Sequence, residues 1–163
     1  MMALSLKLIM VLWSATGLWV GAEACGASDD CCKTCPAGWS HFGKSCLIFH
    51  HDAKDWADAE KFCTTIGGNL ASVHSKDLYL HLRSVVLRLT GKHMTTWLGG
   101  YDAAKDGVWL WSDGSLFDFK LWGAGEPNGG GTEMCMEMNY AGRDYVNDVS
   151  CTPKRPFFCS KAL

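Results

Sequence analysis

Side chains that carry oxygen ligands concentrate in two short segments near the end of the chain. Glu126-Pro127-Asn128 opens the first segment, Glu133 follows it, and Asn147-Asp148 forms the second. Carboxylate and amide oxygens are the groups that calcium binds, with six to eight ligands and a tolerance for irregular geometry. These residues could therefore hold a calcium ion. Taken alone, the first segment also fits an ordinary polar turn, because Pro, Asn and Gly are common turn formers.

Histidines offer a second kind of chemistry, at His50, His51 and His74. No H-E-x-x-H companion supports a zinc site, and no Gly-x-Ser-x-Gly motif or matched acid pair supports hydrolysis. We interpret all three as surface residues, and we expect no catalytic residue.

The charge balance excludes two classes of partner. The chain has 163 residues, 48% of them hydrophobic, which is enough for one compact domain with a core. Its 15 Lys and Arg residues nearly balance 17 Asp and Glu residues. Nothing in this balance points to nucleic acid or to an anionic membrane surface.

The N-terminus predicts a signal peptide over residues 1–24. Lys7 precedes an apolar run from Leu8 to Val20, and Ala22 and Ala24 form a cleavage site of the A-x-A type. The run is too short to span a bilayer, which needs about 20 apolar residues. We therefore expect a secreted, extracellular protein without membrane insertion.

Nine cysteines fit an oxidising compartment, and an odd number leaves at least one without an internal partner. Cys25, Cys31 and Cys32 lie in a short polar tail, residues 25–34, that has little to bury. Two arrangements stay open for them: a local disulfide with one capped thiol, or a bridge between subunits. We favour the bridge, because an exposed odd thiol rarely stays free in such a compartment.

Two helices and several short strands are expected in residues 35–163. Asp55 is a candidate N-cap for a helix that ends at Gly67-Gly68, and Ser75 is a candidate N-cap for one that ends at Gly91. Beyond Thr95, short aromatic segments alternate with turn residues. The pattern predicts an α+β domain.

Four motifs, in this order, resemble the C-type lectin domain and cover roughly residues 35–162. They are Trp97-Leu98-Gly99-Gly100, Trp109-Leu110-Trp111-Ser112-Asp113-Gly114, Glu126-Pro127-Asn128 and Asn147-Asp148-Val149-Ser150-Cys151. Within the family, the chain looks most similar to small secreted lectins of fish, whose relatives include type II antifreeze proteins. In this fold such tryptophans mostly fill the core, and we expect the same of Trp97, Trp109, Trp111 and Trp122.

The resemblance implies a fold stabilised by disulfides and one principal calcium site. The implied calcium and carbohydrate ligands are Glu126, Asn128, Glu133, Asn147 and Asp148, with a cis peptide bond before Pro127. The implied disulfides are Cys35–Cys46, Cys63–Cys159 and Cys135–Cys151. In a second calcium site of the family, Asp102 and Asp106 are present but Gly129 and Met134 replace carboxylates, so we expect that site to be empty.

The resemblance also implies a sugar preference. Glu-Pro-Asn is the mannose-type order, which selects glycans with equatorial vicinal hydroxyls, whereas Gln-Pro-Asp is the galactose type. Glu126 and Glu133 would accept hydrogen bonds from the hydroxyls, and Asn128 and Asn147 would donate to them. Val146 stands where the family usually has Trp, which predicts altered packing under the loop.

Two other functions stay open at this point. Type II antifreeze proteins use the same fold to bind ice, and some venom proteins of the family are calcium-independent interaction modules. Retention of all five implied ligands favours a calcium-dependent lectin, in which a disulfide-linked homo-oligomer would raise avidity.

Overall fold

The computed structural model describes residues 34–163. The predicted signal peptide and the tail cysteines Cys25, Cys31 and Cys32 lie outside these residues. The helices are α1 (Trp56–Thr65) and α2 (Lys76–Thr90). The strands are β1 (Ser40–Phe42), β2 (Ser45–Lys54), β3 (Asn69–Leu70), β4 (Thr96–Tyr101), β5 (Leu110–Trp111), β6 (Cys135–Met138), β7 (Val146–Val149) and β8 (Arg155–Ala162).

Both helices begin at the predicted caps. The Asp55 carboxylate accepts a hydrogen bond from the Asp58 N–H at 2.9 Å, and the Ser75 hydroxyl accepts one from the Leu78 N–H at 3.2 Å. These side chains satisfy amide groups that the first turn of a helix leaves unpaired. Gly91 ends α2 in the left-handed conformation, at φ 75°, which glycine adopts without a steric penalty. No helix within residues 34–163 is long and apolar enough to cross a bilayer.

The strands form one mixed sheet with the order β1-β2-β8-β4-β6-β7, while β3 pairs with β8 and β5 pairs with β4. All pairs are antiparallel except β4 with β8, which meet at Trp97 and Phe157. This parallel contact joins β1, β2 and β8 to β4, β6 and β7. The architecture is the α+β arrangement that the sequence predicts.

Two apolar clusters fill the interior. One packs α2 against the sheet around Leu82, Leu98 and Met136, and the other packs α1 around Cys63 and Phe157. The prediction that tryptophans fill the core is confirmed for Trp97, Trp109 and Trp111, which are 0%, 9% and 2% exposed, whereas Trp122 is only partly buried.

Three disulfides cross-link the described chain, in the pairs that the resemblance implies. They are Cys35–Cys46, Cys63–Cys159 and Cys135–Cys151. The second ties α1 to β8, and the third ties the start of β6 to the segment after β7.

Candidate functional site

The polar loop, residues 123–134, is fastened to the sheet at its start. The Gly123 N–H donates to the Val146 carbonyl at 3.0 Å, and the Val146 N–H donates to the Leu121 carbonyl at 2.8 Å. Val146 itself is buried in the core, and the Tyr145 ring lies directly against Gly123. At the position where the family usually has Trp, the loop is therefore held by these backbone bonds and the Tyr145 ring. The Glu126–Pro127 peptide bond in this loop is cis.

Asp148 organises the next part of the loop. Its carboxylate is almost fully buried and accepts hydrogen bonds from the N–H groups of Asn128, at 3.1 Å, and Gly129, at 2.9 Å. Charged acceptors make such bonds stronger than neutral ones do. Asp148 therefore brings the Asn128 backbone to the end of β7, while the Asn128 side chain stays exposed.

Glu126 and Glu133 complete a group of three neighbouring carboxylates with Asp148. Burial raises the pKa of the Glu126 carboxyl above its ordinary value, and the neighbouring carboxylates of Asp148 and Glu133 raise it further. Glu126 Oε2 is buried without a hydrogen-bond partner among the described residues. Like charges held this close oppose ionisation unless a cation is present.

Asn147, the fifth implied ligand, has its amide nitrogen turned into the protein. Nδ2 donates to the backbone oxygen of Asp148 at 2.6 Å and to Glu137 Oε1 at 3.3 Å. These two bonds use both hydrogens of the amide, which leaves its oxygen as the atom free to bind a cation. The family resemblance predicts that this nitrogen donates to a sugar hydroxyl, but in this arrangement it is already bonded within the protein.

Sequence reasoning missed Glu137, which supports Asn147 from below. Glu137 is completely buried, and its Oε2 accepts a hydrogen bond from Arg155 Nε at 3.1 Å. Burial raises the pKa of Glu137, and the charge and hydrogen bond of Arg155 oppose that rise. One feature of the sequence could have revealed this residue: a charged side chain between Met136 and Met138, in a strand that is otherwise apolar.

Asp102, which belongs to the second calcium site of the family, has a hydrogen-bonding role within this chain. Asp102 is 3% exposed, and its Oδ2 accepts a hydrogen bond from the Gly107 N–H at 2.9 Å. Asp106 is exposed on the same loop. Asp102 thus closes the loop between β4 and β5.

The donor set of the principal site suits a hard cation. Three carboxylates and the oxygens of Asn128 and Asn147 are all ligands that calcium prefers, and the unpartnered Glu126 oxygen is a buried acceptor without a donor. As they stand, these side chains do not form a metal-binding cluster, since no group of three or more His, Cys, Asp or Glu side chains within residues 34–163 is placed to hold a metal ion. The residues fit the ion in type, and Asp148 draws Asn128 to the end of β7.

Residues 52–161 match the sequence model of the Lectin C-type domain, which is about two thirds of the chain. This chain belongs to the C-type lectin family. The family is a carbohydrate-binding one without enzymatic activity, and C-type lectins generally bind calcium, although some relatives are calcium-independent.

Two curated relatives are fish lectins. The chain is 40% identical over 153 residues to the galactose-specific lectin nattectin of Thalassophryne nattereri, covering 93% of this chain and 94% of nattectin. It is 47% identical over 118 residues to ladderlectin of Oncorhynchus mykiss, covering 72% of this chain and 62% of ladderlectin. The chain therefore spans somewhat less than two thirds of ladderlectin and nearly all of nattectin.

The fold of this C-type lectin is also that of an antifreeze protein. The structure of the herring type II antifreeze protein superposes with a TM-score of 0.75 at 32% identity, covering 79% of this chain and 99% of the antifreeze protein. Because one fold serves both sugar and ice binding, the fold alone does not assign the ligand.

Proposed function

We propose that this C-type lectin is a secreted protein that binds glycans of the mannose type through calcium held by Glu126, Asn128, Glu133, Asn147 and Asp148. The observation that carries the proposal is the unpartnered buried oxygen of Glu126, in the loop whose Asn128 and Gly129 amides are held by the Asp148 carboxylate. When bound, the ion would supply coordination positions for two adjacent sugar hydroxyls.

The side chains around the ion would select the sugar. Glu126 and Glu133 are half-buried and carry acceptor oxygens only, so they suit the hydrogens of the two hydroxyls. Asn128 is exposed and carries an amide donor for the hydroxyl lone pairs. Asn147 contributes its oxygen to the ion, because its nitrogen is bonded to Glu137 and Asp148.

The deciding experiment is chromatography on mannose-agarose in calcium, followed by elution with a chelator. We expect retention in calcium, release on chelation, and competition by free mannose more than by galactose. Retention on galactose-agarose instead would favour the specificity named for nattectin. Thermal hysteresis without retention on either matrix would favour ice binding, and retention that ignores the chelator would exclude the calcium account.

The variant E126Q/N128D tests the sugar preference directly. Exchanging acid and amide reverses donor and acceptor around the diol, and each mispaired polar group costs about 1–3 kcal/mol. We expect the variant to lose at least about tenfold in affinity for mannose and to gain affinity for galactose. An unchanged ratio of the two affinities would show that these residues do not set the preference.

We also propose that tail cysteines link subunits and so present several sites together. The chain has nine cysteines, and three disulfides account for six of them. Cys25, Cys31 and Cys32 are the remaining three. Non-reducing electrophoresis of the secreted protein should show oligomers that a triple Cys→Ser variant abolishes, and monomer alone would refute this part of the proposal.

A further inference from the structure

A concave surface lies where β4 and β8 begin. This surface, which we call the basic groove, has a volume of about 440 Å³. It lies between the end of β2, the segment that joins α2 to β4, and the segment that precedes β8. The polar loop lies towards the other end of β4, where Tyr101 pairs with Cys135, two residues after Glu133. Asn147 is connected to the groove through Glu137, which also bonds Arg155.

The lining of the groove carries positive charge and no acidic side chain. Lys92, Lys154 and Arg155 contribute the charges. Both lysines are exposed, and no salt bridge among residues 34–163 involves either of them. Arg155 differs, because the buried Glu137 carboxylate neutralises it from beneath. The free charge of the groove therefore comes from two lysines on opposite segments.

Other lining residues of the groove suit contact with a sugar ring. Met94 and Pro156 offer apolar atoms. The Thr95 hydroxyl donates to the Asn139 carbonyl at 3.4 Å, so its oxygen remains as an acceptor. Apolar atoms can contact the C–H face of a pyranose while the ammonium groups at the rim meet charged substituents.

Local charge is decisive here because the molecule as a whole is not basic. Its formal net charge is −2, so the average field repels polyanions. A groove lined by one sign of charge concentrates ions of the opposite sign by factors of about 10–1000. We infer that the basic groove is a second carbohydrate site, independent of calcium, for an anionic saccharide bearing sulfate or carboxylate groups.

The test uses a sulfated heparin-derived hexasaccharide as the probe, with the full-length protein in a chelator. Binding is measured by calorimetry or fluorescence at low and physiological salt. We expect binding that weakens as salt rises, because exposed charges are screened. A desulfated, N-acetylated hexasaccharide of the same length should bind at least about tenfold more weakly.

Charge reversal locates the site. K92E/K154E should weaken binding of the sulfated probe by about tenfold or more, whereas K61E/K105E should leave it within about twofold. Each variant replaces two lysines with glutamates, so both have the same net charge. Lys61 and Lys105 are also exposed but lie outside the groove, which makes the second variant a matched control. Arg155 is left unchanged because it also holds Glu137. Equal losses in the two variants would indicate a whole-molecule effect and overturn the inference.

Three further results would contradict this assignment. The first is absence of binding to the wild-type protein at low salt. The second is binding that needs calcium and disappears in Glu126→Gln, which would place the probe at the polar loop. The third is equally tight binding of a DNA oligonucleotide of matched charge that K92E/K154E abolishes, which would make the groove a general polyanion site. Because the assay contains a chelator, failure of the calcium proposal would leave the expected result unchanged.

Discussion

Gly129 and Gly131 lie in the same turn but face different surroundings. A Cβ atom at Gly129 would collide with the Cβ and Cγ atoms of Glu133, whereas a Cβ atom at Gly131 would meet nothing within 4 Å. Neither glycine has a positive φ, so alanine is compatible with the backbone at both positions. Alanine at Gly129 would therefore displace the Glu133 side chain while leaving its carboxylate intact, and alanine at Gly131 would not displace it.

We therefore predict that Gly129→Ala weakens calcium binding and Gly131→Ala does not. Moving one carboxylate ligand should cost about 10- to 100-fold in calcium affinity, the range seen when groups that orient ligands are lost. Calorimetry with calcium measures the affinity, and thermal unfolding in a chelator checks that both variants fold equally well. Equal affinities would mean that Glu133 does not bind the ion.

Glu137 allows a second prediction at the scale of one residue. Glu137→Gln keeps the shape of the side chain but leaves Arg155, which is 31% exposed, against a neutral amide. We expect a loss of about 1–3 kcal/mol in the free energy of unfolding, because the Arg155 charge loses its carboxylate partner and is only partly solvated by water. Urea unfolding in a chelator measures this.

The same variant should also lower calcium affinity, because Glu137 fixes the Asn147 amide. Glu137→Asp provides the matched control, since it keeps the charge but shortens the reach. If Glu137→Gln lost stability and kept full calcium affinity, Glu137 would have a role in folding alone, and Asn147 would be positioned by its own backbone.

At the scale of elements, α1 and β8 enclose the imidazole of His50, which lies on β2, and favour its neutral form. His50 stacks on Phe157 with ring centroids 5.0 Å apart and meets the edge of Phe62 at 4.7 Å. Burial lowers the pKa of His50, Asp52 opposes this, and Lys54 adds to it. The half-buried His50 is thus not the simple surface residue that the sequence suggests.

A pH dependence follows from the direction of this shift. Because the folded-state pKa is lower than the unfolded value of about 6.5, the His50 contribution to stability is complete above pH 6.5. It is lost as the pH falls below 6.5 and through the lowered folded-state pKa. Melting temperatures between pH 8 and pH 5 should therefore fall more steeply for wild type than for His50→Gln. His51→Gln, which removes an exposed imidazole from the next position, should behave like wild type.

The elements that sequence predicts best are those whose determinants are local. The helix ends are predictable from Asp55, Ser75 and Gly91, because a capping residue acts only on the nearest turn. The pairing of β4 with β8, at Trp97 and Phe157, has no local determinant, since it depends on packing between distant segments. The same holds for the bond from Arg155 to Glu137, and hence for the support of Asn147. Residue types at the site were thus predictable, but the residues that orient them were not.

At the scale of the whole molecule, disulfides set how much chain the unfolded state can explore. Cys63–Cys159 joins residues 96 positions apart, whereas Cys35–Cys46 joins residues 11 apart. The chain-entropy estimate assigns about 4.7 kcal/mol to a loop of the first size and about 2.8 kcal/mol to one of the second.

We predict that C63A/C159A lowers the free energy of unfolding by about 2 kcal/mol more than C35A/C46A does. The two bridges also differ in position, since Cys63–Cys159 lies in the buried cluster beside Trp97, so truncation there adds a small cavity cost in the same direction. Urea unfolding of both variants under non-reducing conditions, with calcium removed, measures the difference. Equal losses would mean that residual structure already restricts the long loop in the unfolded chain, and the packing of α1 on β8 would then persist without its covalent link.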